Sequence, residues 1–390
     1  MSSLSRRGFL GAVAGGAAAC WVSPLKAIET GSVASKPKIA LIHATDLFRP
    51  HADPDDHFDL ATVFALAAQG RFELLAVMID HPPADMAADP DVLAVSQLNR
   101  ITGISVPVLT GSPKRIDPAD AGRPENRAAV AGVAALLKIM RSSALPVAVS
   151  VVGSCRDVAL AARLEPKTFA EKCAGIYLNA GSGTPDRVKA GRLEYNVNLD
   201  PVSYAALFDA PCPVYWLPCF EVAPGQGVPF ASGEFGTYYR FEQKEILPRL
   251  SPRLLNYFAY MFKQGDSDRA HQSEIDAIRP NWLRYLEGPP EAALIERQGE
   301  RPRNMWCTAG FFHMAGLAVT AEGQLRGRED KASSSVFAFD PVRVHCDASG
   351  ITEWSPDPRS RDRFLFHIRD AARYPRAMAA ALGSLLGSLP

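Results

Sequence analysis

From Lys38 onward the chain alternates short apolar runs with longer amphipathic stretches, the pattern of parallel strands joined by crossover helices. The runs predict strands over Ile39–His43, Leu74–Ile79, Pro107–Thr110, Val147–Val152, Gly175–Leu178 and Val214–Leu217. The amphipathic segments predict helices over Phe58–Gln69, Pro90–Ile101, Arg127–Arg141, Asp157–Leu164, Pro166–Lys172 and Pro201–Phe208. This order describes an α/β fold, a doubly wound and mostly parallel sheet with helices on both faces. Its ligand site is expected at the carboxyl ends of the strands.

After about Gln226 the alternation gives way to aromatic-rich helical segments carrying Tyr238, Tyr239, Tyr257, Tyr260, Trp282 and Tyr285. Val336–His345 reads as a further strand pair or edge element, Asp370–Leu386 as a helix, and the polar stretches Gln264–Asp268 and Gly323–Ser335 as loops. There is no repeat at solenoid spacing. Residues 32–390 are therefore expected to form a single α/β domain with a helical, aromatic-rich carboxyl-terminal elaboration.

The first residues change the picture of where the protein works. Ser5-Arg6-Arg7-Gly8-Phe9-Leu10 and a Gly/Ala-rich apolar stretch to Val22 read as a twin-arginine export signal, so residues 1–31 are set aside as signal and linker. The stretch is shorter than the roughly 20 residues that span a bilayer, and no longer apolar run follows. A soluble periplasmic or otherwise exported form is expected, with a lipid anchor at Cys20 as the less favoured reading. Cys155, Cys173, Cys212 and Cys219 fall in or near predicted core elements without metal spacing and read as buried small hydrophobes.

At 390 residues and 47% apolar composition the chain can bury a substantial core. Lys plus Arg and Asp plus Glu balance at 42 each, which gives no field for nucleic acid or an acidic membrane. A small-molecule ligand is the better expectation.

The stretch Ala44-Thr-Asp46-Leu-Phe-Arg-Pro-His51-Ala-Asp53-Pro-Asp55-Asp56-His57-Phe-Asp59 carries the candidate chemistry, because it sets five carboxylates between a strand and a helix. Burying that much like charge is costly without a counter-ion. A hard divalent cation such as Ca²⁺ answers the cost through several oxygen ligands. The plainer reading is that Asp55 or Asp56 caps the helix and the others are solvated. An EF-hand is excluded, since Phe58 and Phe64 stand at the sixth and twelfth positions from Asp53. A metal phosphoesterase of the Asp-His-His type is excluded as well, because the sequence has no His-His pair.

Five stretches in order over about Lys38–Cys219 resemble the nucleoside hydrolase family, including its inosine/uridine-preferring members. They are the acidic loop, Val106–Gly111, Val152-Gly153-Ser-Cys-Arg156-Asp157, Ile176-Tyr-Leu-Asn179-Ala-Gly181, and Glu194-Tyr-Asn196-Val-Asn-Leu-Asp200-Pro201. The resemblance implies cleavage of the N-glycosidic bond of a nucleoside or related riboside by a Ca²⁺-activated water. In that scheme Asp46 is the base and a metal ligand, Asp56 and the carbonyl of Arg156 are further ligands, and Asp55 holds the ribose diol. Asn179, Glu194 and Asn196 contact substrate.

Departures from the family pattern are specific. Ala44 stands where the family has the first Asp of its Asp-x-Asp, and the best match to its carboxyl-terminal His-Asp-x-x-Ala stretch, Phe312–Ala318, has His313 but no carboxylate. Asp53 or Asp59 could supply the missing ligand, and His313 could protonate a leaving group. Two other readings remain open at this stage: a non-catalytic binder of ribose-like sugars, and a glycosidase acting on another glycoconjugate. Neither nucleic acid nor a membrane span is expected, and association into a homo-oligomer is left open.

Overall fold

The computed structural model describes residues 39–49, 55–82, 88–186, 189, 191–222, 233–265, 276–330 and 334–390, which belong to one compact unit, Ser35–Pro390. The expected export signal, Cys20, His51 and Asp53 lie outside the described residues.

Among the described residues, nine strands form one sheet. We label them β1 (Ala40–Thr45), β2 (Glu73–Ile79), β3 (Val108–Thr110), β4 (Val147–Val151), β5 (Cys173–Leu178), β6 (Val214–Trp216), β7 (Phe337–Cys346), β8 (Thr352–Pro356) and β9 (Arg363–Ile368). Their spatial order is β8-β7-β9-β6-β5-β4-β1-β2-β3. Every neighbouring pair from β9 to β3 is parallel, and β7 runs antiparallel to β9 and β8. The doubly wound reading holds, with all six predicted strands present.

Strand β9 was not anticipated from the sequence. It enters the sheet parallel to β6 although it is sequence-local to β7 and β8, a long-range pairing that no local pattern announces. The expected loop Gly323–Ser335 likewise contains a short strand, Leu325–Gly327, paired antiparallel to Leu317–Val319.

Alternation along each strand divides the core. In β1, Leu41 belongs to one apolar cluster while Ala40, Ile42 and Ala44 belong to the other; in β2, Val77 and Ile79 oppose Ala76 and Met78. Helices α1 (Asp55–Ala68) and α2 (Val92–Thr102) cover the first face with the carboxyl-terminal helices. Helices α3 (Ala131–Ser142), α4 (Arg156–Leu164), α5 (Pro166–Lys172), α6 (Tyr195–Leu199) and α7 (Pro201–Leu207) follow in chain order, and residues of all five join the second cluster. The aromatic-rich segment fixes α1, since Phe58 stacks on Phe258 with ring centroids 4.1 Å apart. Burying such a ring is worth roughly 1.5–3 kcal/mol, so the helix that carries the acidic residues is anchored by the distant carboxyl-terminal half.

Strand order reverses between β1 and β4. The turn leaving β1 goes toward β2 and the turn leaving β4 toward β5, opening the crevice in which doubly wound sheets bind ligands.

Candidate functional site

A cavity of about 300 Å³ lies beyond this switch point, lined by Asp46, Asp55, Asp56, Val152, Asn179, Leu193, Glu194, Tyr195, Asn196, Cys219, Phe220, Trp306 and Cys307. Six of the seven residues expected at the site from the sequence therefore share one cavity; Arg156 is not among its lining residues. Backbone bonds just past the strand ends set the spacing. Asp80 N–H donates to the Thr45 carbonyl at 2.8 Å, Val152 N–H to the Ala44 carbonyl at 2.9 Å, and Asn179 N–H to the Val151 carbonyl at 2.9 Å. The residues after β2, β4 and β5 are thereby held in ladder register although they are already loop.

Asp55 and Asp56 occupy the first turn of α1, where the exposed amides and the helix dipole favour carboxylates. Being adjacent, they face different ways. Asp56 Oδ1 accepts a 3.0 Å bond from Thr45 Oγ1 at the end of β1. Asp55 and Asp59 are one turn apart on the same face, and carboxylate oxygens of both lie with the Cys307 Sγ, all three atoms within 4.8 Å of one another. All of these groups except Asp46, which is half-buried, are buried. Burial and the neighbouring Asp59 and Asp55 push the Cys307 thiol well above its ordinary pKa. Among the described residues no Lys or Arg lines the cavity, so a divalent cation fits the gathered carboxylates.

Opposite the acidic loop stands an amide and carboxylate wall. Asn179 Nδ2 donates to the Leu217 carbonyl at 2.9 Å, which fixes the amide's orientation, while its Oδ1 is buried with no partner among the described residues. Glu194 caps α6, accepting from the Asn196 N–H (2.9 Å), the Gly181 N–H (2.9 Å) and the Val197 N–H (3.4 Å). Burial raises its carboxyl pKa and these backbone donors partly offset the rise. Asn196 Nδ2 donates to the Val152 carbonyl at 3.1 Å. The Glu194–Pro201 motif thus forms a short capped helix that presents both side chains from a rigid base.

Arg156 opens α4, and its side chain turns from the cavity to Ser154 Oγ (2.9 Å) and the Ser112 carbonyl (3.3 Å). There it faces Asp80 and Asp157, two buried carboxyls that sequence reading passed over. Burial, then the charges of Asp157 and Asp46, pushes the Asp80 carboxyl well above the usual range, although it accepts a bond from the Ser154 N–H. Asp157 accepts from the Ser112 N–H at 2.9 Å.

His313 is not at the cavity. It lies inside the helix Thr308–Met314, 3.0 Å from the Tyr177 hydroxyl and against Phe339 and Tyr215, with Arg328 at its Nε2. Because Arg328 can only donate, Nε2 accepts and Nδ1–H donates to Tyr177. Burial and Arg328 hold the ring neutral. What faces the cavity instead is Trp306 and Cys307, between the strand Pro302–Met305 and that helix. A strand end meeting a helix start was the available signal, six residues before the stretch chosen for its histidine. Trp306 packs edge-on to Phe220 with centroids 5.8 Å apart and lies near Tyr238 at 5.6 Å, giving the cavity an aromatic wall.

No family model matches the sequence, and no curated protein matches it. Among solved structures, the chain is similar to the inosine-uridine preferring nucleoside hydrolase from Bacillus anthracis at 12% identity and TM-score 0.45, over 89% of this chain and 99% of that one. It is similar to the purine-preferring ribonucleoside hydrolase from Gardnerella vaginalis at 13% identity and TM-score 0.44, over 89% and 99%. A further likeness is to the type III effector protein XopQ complexed with adenosine diphosphate ribose, at 15% identity and TM-score 0.47, over 90% and 93%. At these TM-scores the likenesses carry no argument, and the chemistry rests on the cavity itself.

Proposed function

We propose that the protein hydrolyses the N-glycosidic bond of a nucleoside or related riboside in this cavity, with a bound divalent cation, and that it does so in exported form. The observation that carries the reading is the convergence of Asp46, Asp55 and Asp56 with Asn179, Glu194 and Asn196 on one cavity, faced by the aromatic Tyr195, Phe220 and Trp306. A sugar with vicinal hydroxyls matches the polar wall, and a flat aglycone matches the aromatic one.

Asp46, Asp55 and Asp56 would hold the cation, which when bound lowers the pKa of a coordinated water and gathers the diol. Asp46, the half-buried carboxylate just past β1, would take the water's proton as the water's oxygen bonds to the anomeric carbon. The base departs with the glycosidic electron pair and takes up a proton. Asp55 and Asn179 Oδ1 accept from sugar hydroxyls, and the buried carboxylates stabilise the positive charge that develops on the ring.

The test is to incubate the purified full chain, with and without chelator, with inosine, uridine and adenosine, and to follow release of reducing ribose. Cation-dependent release that Asp46→Asn abolishes is expected. Ribose binding without hydrolysis under any cation would instead mark a sugar-binding protein.

A further inference from the structure

We propose that Cys307 is a metal-ligating thiolate which, with Asp55 and Asp59, makes the centre select a borderline, thiophilic cation such as Zn²⁺ over Ca²⁺. This rests on the reading that the cavity holds a cation, but not on the reaction proposed for it. The Cys307 Sγ and oxygens of Asp55 and Asp59 lie within 4.8 Å of one another, and all three residues are buried. Zn–S and Zn–O distances of about 2.3 and 2.0–2.2 Å let donors at such separations share one ion after small side-chain shifts.

The fold explains why the three meet. Asp55 and Asp59 are successive turns of α1 on one face, and Cys307 sits at the start of the helix Thr308–Met314, which packs on α1. A second observation points to a ligand in the same cavity. Asn179, only 2% exposed, lines the cavity with Cys307 and Asp55 and keeps an Oδ1 with no partner among the described residues. Such an acceptor is costly to bury, and a cation or a donor on a ligand would satisfy it.

Ca²⁺ wants six to eight oxygens and gains little from sulfur, whereas a thiolate shifts a site toward Zn²⁺ and its neighbours. On binding, the thiol gives up its proton to solvent and the Sγ lone pair bonds the metal.

The experiment uses the full chain after chelation, titrated with Co²⁺ and Cd²⁺ and followed by ultraviolet and visible absorption. The expected result is a thiolate-to-metal charge-transfer band saturating at one equivalent. It should be reversed by near-stoichiometric Zn²⁺ but only by at least ~100-fold more Ca²⁺. Cys307→Ser should remove the band and weaken Cd²⁺ binding by ~100-fold or more, while Cys219→Ser, at the other cavity-lining thiol, should keep both. Cys307→Asp should move the preference toward Ca²⁺. Absence of the band in the unmodified chain, its persistence in Cys307→Ser, or equal competition by Ca²⁺ would each overturn the proposal, and the unmodified chain alone decides it if the variants misfold. A band without riboside hydrolysis leaves this inference standing and sinks only the reaction; hydrolysis without a band does the reverse.

Discussion

Gly153 lies so close to Asp46 that a Cβ built on it would stand 2.9 Å from both the Asp46 Cβ and the Asp46 backbone nitrogen, and 2.7 Å from an Asp80 carboxylate oxygen. The ends of β1, β2 and β4 therefore meet at a point that admits no side chain. Gly153→Ala is expected to destabilise the protein by roughly 1–3 kcal/mol, the usual cost of overpacking. It should also displace Asp46 enough to cut turnover by about 100-fold. Urea melts and the ribose-release assay check the two effects, and an unchanged melt would show that the crevice is looser than described.

Asp46 and Asp56 are expected to separate catalysis from metal binding. A cation bound only by the native state adds RT ln(1 + [L]/Kd), roughly 2.7 kcal/mol at a hundredfold excess over Kd. Asp56→Ala should abolish that stabilisation in a thermal melt, since it removes a buried oxygen donor. Asp46→Asn keeps an oxygen and loses the proton acceptor, so the cation-dependent shift should survive while hydrolysis falls by at least ~100-fold. Loss of both properties in Asp46→Asn would make Asp46 a ligand first.

Asn179→Ala should raise KM for a riboside, or Kd for ribose, by roughly tenfold, about what one lost hydrogen bond is worth. The same change frees the Leu217 carbonyl from its 2.9 Å bond, so a stability loss of similar size is expected alongside. Asn179→Asp would keep the acceptor and discriminate the two effects: ligand affinity should recover more than stability, as read by calorimetry and by thermal melts.

Two buried histidines set an acid limit. Burial lowers the His43 pKa to about 3 from 6.5, and that of His313 falls well below 6.5. Both native rings refuse the proton that the unfolded chain accepts, so their contribution is complete above pH 6.5. It is lost as pH falls from there toward the folded values, by up to roughly 1.4 kcal/mol per pH unit for each histidine. Unfolding free energy measured between pH 6.5 and 5 should thus decline. His313→Gln should flatten the decline by one proton and leave kcat/KM within about threefold, because the ring is bound to Tyr177 and Arg328 rather than to the cavity. A large drop in kcat/KM would return His313 to the reaction.

Much of the scaffold was legible from the chain alone. Short, near-continuous apolar runs marked β1 through β6, because a parallel strand covered by helices is buried on both faces. Asp46, Asp55 and Asp56 stood out in the sequence as an acidic loop between a strand and a helix, where ligand sites of such sheets form, whereas Asn179, Glu194 and Asn196 were named through the resemblance to family motifs. Only the tertiary structure decided what completes the site. The strand β9, the aromatic wall and Cys307 come from the carboxyl-terminal half, whose pairing with the first half depends on contacts across two hundred residues of chain, such as Phe58 on Phe258. A local motif match drew attention to the stretch around His313, but packing keeps that ring in the core and brings Cys307, a few residues earlier, to Asp55 and Asp59, since a helix buries the face its neighbours cover, whatever the side chains on it could do.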